Sequence, residues 1–174
     1  MSVTTTRTHT VVPSPVGELT LVLEGSGRQE ALAGLYFPGH LRKPPVEGLG
    51  PRVEDAGGIV GEQLAAYFAG ELQTFDLPLA LRGNDFQLRV WDLLQQIPYG
   101  QTRSYGELAR ELGDVHWAQA VGHANAMNPV AVVVPCHRVI GADGTLTGYA
   151  GGIERKRFLL DLESGPPDQS GRLF

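Results

Sequence analysis

Asn128-Pro129-Val130-Ala131-Val132-Val133-Val134-Pro135-Cys136-His137-Arg138-Val139-Ile140-Gly141 carries the only cysteine of the 174 residues, directly behind an unbroken apolar run. A lone thiol cannot close an internal disulfide, and it cannot build a cysteine cluster around a metal. If Cys136 does chemistry, that chemistry is nucleophilic, and the adjacent imidazole is the obvious group to prepare it. The plainer alternative is a buried thiol acting as a small apolar side chain. Val130 to Val134 reads as an extended segment crossing the core after Asn128-Pro129. Neighbouring side chains of an extended segment point to opposite sides. Direct contact between Cys136 and His137 therefore needs the chain to turn, and a bridging water serves equally well. His137 would in turn need an orienting carboxylate. Glu163 has the right chemistry, although an exposed glutamate near a helix end is the simpler reading.

Upstream of this turn the pattern is helical. Phe86, Val90, Leu93, Leu94 and Ile97 fall on one face of a helix over Asp85 to Ile97, stopped by Pro98. Ser104 followed by Glu107 is a capping box, and it opens a helix with Leu108, Ala109 and Leu112 inward and Gly113 at its end. Trp117 to Ala126 forms a second short helix of small residues. Two short helices joined by a tight turn suggest a helix-turn-helix, with ordinary helix packing as the alternative. Downstream, Gly148-Tyr149-Ala150-Gly151-Gly152 reads as a loop leading into a last helix from Ile153 to Glu163.

The first half is β-rich. Thr8–Val12, Glu18–Glu24 and Leu32–Phe37 are short apolar or alternating runs separated by proline and glycine turns. Pro44 to Gly58 reads as a surface loop, Gly58 to Gly70 as an amphipathic helix, and Thr74 to Leu81 as one more extended segment. The expected division is a β-rich structural domain over 1–83 and a mostly helical domain over 84–174, with a loose tail from about 164. The fold class is α+β.

Composition bounds the function. With 42% hydrophobic and 19% charged residues this is an ordinary globular chain, and no apolar run is long enough to span a bilayer. Met1 to His9 has no cationic segment ahead of an apolar core, so no signal peptide is expected, and one free cysteine suits a cytoplasmic location. A net charge of −5 argues against coating nucleic acid by bulk electrostatics. Between Tyr99 and Arg157 six cations face five anions, a nearly neutral segment. No histidine–carboxylate cluster has metal-ligand spacing; only a structural zinc on the dispersed His9, His40, His116 and His123 is left as an alternative to no metal.

The cysteine turn, with Asn128-Pro129 before it and Tyr149-Ala150-Gly151-Gly152 after it, resembles the O6-alkylguanine-DNA alkyltransferases, also called methylated-DNA–protein-cysteine methyltransferases. Gly100-Gln101-Thr102-Arg103-Ser104-Tyr105-Gly106-Glu107-Leu108-Ala109 and Ala120-Val121-Gly122 extend the likeness, which covers about residues 84 to 163. The resemblance implies a ribonuclease H-like N-terminal domain, a C-terminal domain with a helix-turn-helix and an active-site loop, and no cofactor. It implies a single-turnover transfer of the alkyl group from O6-alkylguanine, and from O4-alkylthymine, to Cys136. The partner would be double-stranded DNA bound at the minor groove with the damaged base flipped out, with no membrane and no obligate protein partner.

Residue by residue, the resemblance makes Cys136 the acceptor, His137 the imidazole that draws its proton through a water, and Glu163 the carboxylate that orients the imidazole. Asn128 ties the turn. Tyr105 reaches the flipped base or its phosphate, Tyr149 walls the pocket, and Val139 offers backbone groups to the guanine edge. Ala150 stands where many relatives have serine; its backbone N–H is the donor to O6, so alanine preserves the contact. Gln119, Ala120, Gly122 and Arg138 fall among the DNA-contacting positions. Gln119 stands where many members carry an arginine that enters the base stack, so base extrusion is expected to survive with weaker or more salt-tolerant binding. Arg138 is also expected to brace the turn.

Two other classes compete. A cysteine hydrolase would need an oxyanion hole and repeated turnover, and its catalytic pair is ordinarily distant in sequence. A non-catalytic lesion-binding protein on the same scaffold would lack the cysteine.

Overall fold

The computed structural model describes residues 6–25, 30–40, 43–54, 57–146 and 148–165, with Val46 described by its backbone alone. The tail expected from about 164 falls outside the described residues after Gly165, and so does the glycine turn around 26–29. Strands β1 (Arg7–Val12), β2 (Leu19–Glu24) and β3 (Ala31–Tyr36) form an antiparallel sheet in that order. All six residues of β2 are buried, because the central strand is covered on both faces. Leu19, Leu21 and Leu23 point into the main core, while Val22 joins Ala33, Tyr36 and Leu49 on the other side. This is the period-two division that a strand imposes.

Helix α1 (Gly58–Phe68) buries Val60, Leu64 and Tyr67, one stripe at helical spacing. The segment expected to be extended over Thr74 to Leu81 forms no strand; it meets the sheet through a single bridge between Leu32 and Leu79. Pro78 interrupts it, and proline cannot donate to a ladder. Helix α2 (Asp85–Gln95) is opened by a capping box on Asn84 and Gln87, and its Trp91 Nε1 donates to the Ala124 carbonyl at 2.8 Å. That bond ties α2 to α4.

The helix pair forms as its sequence suggests. Ser104 caps α3 (Tyr105–Leu112) by the expected reciprocal bonds with Glu107, and Gly113 ends it at φ 126°, where a side chain would be strained. After a 3₁₀ turn at Val115–Trp117 comes α4 (Ala118–Ala126). Strands β4 (Arg103–Ser104) and β5 (Val139–Ile140) pair in parallel and fix the segment before α3 against the segment after the cysteine. Helix α5 (Ile153–Ser164) closes the fold and buries Lys156, Leu159, Leu160 and Glu163.

One contiguous core runs from the sheet through both sets of helices, including Leu21, Leu35, Tyr67, Trp91, Leu108, Val121 and Leu159. The first half reaches the cysteine turn directly. The Leu35 N–H donates to the Pro129 carbonyl at 2.9 Å, and Leu35 bridges Val130. Gly151 packs so closely on Phe37 that an added Cβ would lie 2.4 Å from the ring, so only glycine fits.

Candidate active site

Val130 to Val134 is not an extended strand, contrary to the sequence reading. It is a compact buried turn in which the Val134 N–H donates to the Val130 carbonyl at 3.0 Å and Val132 takes φ 70°. Such a φ is unfavourable for a β-branched residue, and the surrounding bonds must hold it there. Asn128 supplies them: its Oδ1 accepts from Val130 N–H at 3.0 Å, and its Nδ2 donates to the Val134 carbonyl at 2.8 Å and the Val130 carbonyl at 3.4 Å. An apolar run alone does not distinguish a strand from other buried backbone.

The turn delivers Cys136, His137 and Arg138 on one 3₁₀ turn, all three buried. His137 has no exposed surface, and its Nε2 lies 2.7 Å from Glu163 Oε2. Glu163 is 4% exposed, so the surface reading of that glutamate falls. The spacing 156, 159, 160, 163 on α5 turns it inward with the apolar residues. Its carboxylate also accepts from the Tyr67 hydroxyl at 2.6 Å, and from Arg138 Nε at 2.7 Å and Nη2 at 3.0 Å. Arg138 Nη1 donates to the Ile97 carbonyl at 2.7 Å. The sequence places Arg138 both among the DNA contacts and as a brace of the turn; the buried guanidinium is turned inward onto Glu163 and Ile97.

Electrostatics follow from this packing. Burial by itself would raise the Glu163 carboxyl, but the bonds from His137 and Arg138 outweigh it and hold the group at about 2. Burial pushes the His137 imidazole down against the opposing pull of Glu163. The neutral ring therefore faces an ionised, acceptor-only carboxylate, which assigns the proton to Nε2 and leaves Nδ1 a bare acceptor. His137 Nδ1 has no hydrogen-bond partner among the described residues. Burial raises the Cys136 thiol, with Asn128, Tyr149 and Lys156 working weakly the other way. At rest the sulfur keeps its proton, so a base is needed to make the nucleophile.

Cys136 lines a cavity of about 10 Å³, roughly the room of one water, together with Asn125, Asn128, Ala131, Tyr149, Ala150 and His40. Cys136, Asn128, Tyr149 and Ala150 thus meet as the sequence suggests. Val139 is buried and does not line this cavity, and its backbone is already engaged: its N–H donates to the Cys136 carbonyl and its carbonyl accepts from Lys156 Nζ at 2.6 Å. Tyr105, half-buried at the start of α3, does not line this cavity; its ring stands 6.0 Å from Lys156 Nζ. Gln119 and Ala120 are exposed on α4, and Gly122 is half-buried facing Tyr105.

Sequence reasoning missed His40, Asn125, Lys156 and Tyr67. Two of these had a local signal, since Asn125 and Lys156 interrupt the buried stripes of α4 and α5. Tyr67 and His40 had none, because their partners lie far along the chain. Among the described residues no three histidine, cysteine, aspartate or glutamate side chains gather as a metal site.

A protonated thiol with an acceptor imidazole on the next residue, and no second cysteine, suits one covalent transfer to sulfur rather than disulfide exchange. The DNA-binding domain described as that of 6-O-methylguanine DNA methyltransferase matches residues 85–165. A methylated-DNA–protein-cysteine methyltransferase of Mycolicibacterium paratuberculosis is 51% identical over 166 residues, which is 95% of this chain and 98% of that one. The protein of the same name from Methanosarcina acetivorans is 46% identical over 155 residues, 89% of this chain and 97% of the other. The crystal structure of the Mycobacterium tuberculosis O6-methylguanine methyltransferase superposes with a TM-score of 0.80 at 49% identity, covering 94% of this chain and 98% of that one. A crystal structure of the M. tuberculosis protein in complex with DNA matches with a TM-score of 0.76 at 49% identity, covering 90% and 92%. The chain belongs to the methylated-DNA–protein-cysteine methyltransferase family, and its class of reaction is methyl transfer from DNA to a protein cysteine.

Proposed function

We propose that this protein repairs O6-alkylguanine, and O4-alkylthymine, in double-stranded DNA by moving the alkyl group once to Cys136. The observation that carries the reading is the bare, buried Nδ1 of His137, the residue next in sequence to the only thiol, on a ring whose Nε2 is committed to Glu163. In the proposed step the imidazole draws the thiol proton through a bridging water. The S–C bond forms as the C–O6 bond breaks, the electron pair stays on the purine, and the guanine regains its proton at N1. The product is a thioether, which no group in the chain can reverse.

The alkylated oxygen lies inside a base stack, so the base must leave it, at a cost of a few kcal/mol. Helix α4 suits this task. Ala120 is exposed, and a Cβ added to Gly122 would meet only ordinary contacts at 3.7 Å from Tyr105, so internal packing does not demand glycine there. Small residues on an outward face fit close approach to a narrow minor groove. Gln119 on the same face would fill the space left by the base, Tyr105 would reach the base or its phosphate, and Tyr149 and the Ala150 N–H would hold the purine. Asn128 and Arg138 position the nucleophile turn.

The division into a structural unit over 1–83 and a reacting unit over 84–174 is supported by the family match, which begins at residue 85. No helix among the described residues is long and apolar enough to cross a membrane.

The test is stoichiometry. With excess duplex carrying O6-methylguanine, the guanine restored within the duplex should level off at one per protein molecule. Continued repair past one equivalent would favour a hydrolase, and no repair would remove the proposal.

A further inference from the structure

His40 belongs to the first half of the chain, yet it lines the same cavity as Cys136, Tyr149 and Ala150. It is 7% exposed, with its ring stacked on Phe37 at 5.9 Å and edge-on to Tyr36 at 5.3 Å. Its Nδ1 accepts from the Phe37 N–H at 3.4 Å, so the ring proton sits on Nε2. That Nε2 is buried and has no partner among the described residues. Burial and the nearby Arg155 and Lys43 hold the group at about 4, so it is a neutral donor at physiological pH.

A second cavity-lining group has the complementary polarity. Asn125 on α4 donates through Nδ2 to the Cys136 carbonyl at 3.3 Å, which fixes the amide orientation. Its Oδ1 is buried and unpartnered. His40 and Asn125 therefore bring an unpaired donor and an unpaired acceptor to the lining of a space of about 10 Å³, the room of about one water, where the Tyr149 hydroxyl is a third buried polar group without a partner among the described residues. A hydroxyl satisfies both at once. A methyl or methylene satisfies neither, and a carboxylate would meet the Asn125 oxygen with like polarity. Sites that bond a substrate hydroxyl discriminate against analogues without it, because their own polar groups are then left unpaired.

We propose that His40 and Asn125 form a donor–acceptor pair that makes this pocket selective for alkyl groups ending in a hydroxyl, such as 2-hydroxyethyl, over apolar groups of the same size. This rests on the proposed alkyl transfer to Cys136 and adds its substrate preference. His40 is then a specificity-determining residue contributed by the N-terminal half to a reaction carried out by the C-terminal half.

The experiment compares single-turnover transfer rates from duplexes carrying O6-(2-hydroxyethyl)guanine and O6-n-propylguanine, with O6-methylguanine as reference. The wild-type protein should favour hydroxyethyl over propyl by about tenfold, the worth of roughly one hydrogen bond. His40→Phe keeps the aromatic packing and should bring the ratio towards one, while His40→Gln, which restores an N–H, should recover part of it. A wild-type ratio of one or less overturns the proposal, and that outcome needs no variant to fold. An unchanged ratio in a folded His40→Phe protein overturns it as well. Failure of all three lesions, methyl included, would instead sink the transfer reading on which the proposal stands.

Discussion

The inner face of the turn at Cys136 and the outer face of α4 are built on opposite terms. Inside, Glu163 accepts from His137, Arg138 and Tyr67, and every one of these groups is buried. Outside, Gln119 and Ala120 are exposed and carry no charge, and Arg110 and His123 are the exposed basic side chains of the helix pair. The interior spends ionic groups on fixing one imidazole; the exterior offers shape in place of charge. A variant of the first region should damage chemistry and stability together, whereas a variant of the second should damage DNA handling alone.

The sharpest way to break that contrast is Glu163→Gln. The amide keeps the volume but strands the Arg138 guanidinium, and removing one partner of a buried pair costs about 3–5 kcal/mol. It also frees the His137 tautomer, so transfer should slow by about a hundredfold or more. Chemical denaturation and single-turnover kinetics would reveal both losses; a stable variant of normal rate would erase the distinction.

Acid should expose the interior in two windows. The neutral, buried His137 and His40 are held below their unfolded value of about 6.5, His40 at about 4, so the unfolded chain binds the extra protons. Stability should then fall as pH drops from about 6.5 towards 4. Glu163 acts lower down: its folded value of about 2 lies beneath the unfolded value of about 4.3, so its contribution is intact above the latter and lost as pH falls through the former. Urea midpoints measured across this range should decline in both windows, and His40→Phe should flatten the upper one.

On the outer face the expected effects are smaller and selective. Ala120→Leu adds bulk at an exposed helical position, so it should change stability by less than about 0.5 kcal/mol while weakening duplex binding about tenfold or more. Calorimetric melting and a DNA titration separate the two. Gln119→Arg should act the other way, strengthening duplex binding several-fold and steepening the plot of log affinity against log salt by up to about 0.9 for one added positive charge at the DNA. An unchanged slope would mean that this position stays clear of the DNA.

The two regions also differ in how far the sequence discloses them. Local rules were enough for α2, for the Ser104–Glu107 capping box and for α3 ending at Gly113, because each is decided within a few residues. The same holds for the three strands, whose turns and alternation are local. The turn at Val130–Val134 was misread because five apolar residues carry no period, and its shape comes from the Asn128 side chain bonding around it. Glu163 read as a surface group until α5 was seated on Lys156, Leu159 and Leu160. His40 gives no local signal at all: its segment is brought beside the cysteine by long-range contacts, the pairing of Leu35 with Val130 and the packing of Phe37 on Tyr149 and Gly151.

The central claim is that Cys136 is the acceptor. Tandem mass spectrometry of peptides, after the intact protein has met excess O6-methylguanine duplex, tests it most directly. The account predicts one methyl group per molecule, carried on the sulfur of Cys136, and none in Cys136→Ala. Methyl found on another residue, or lesions repaired while Cys136 stays unmodified, would contradict it.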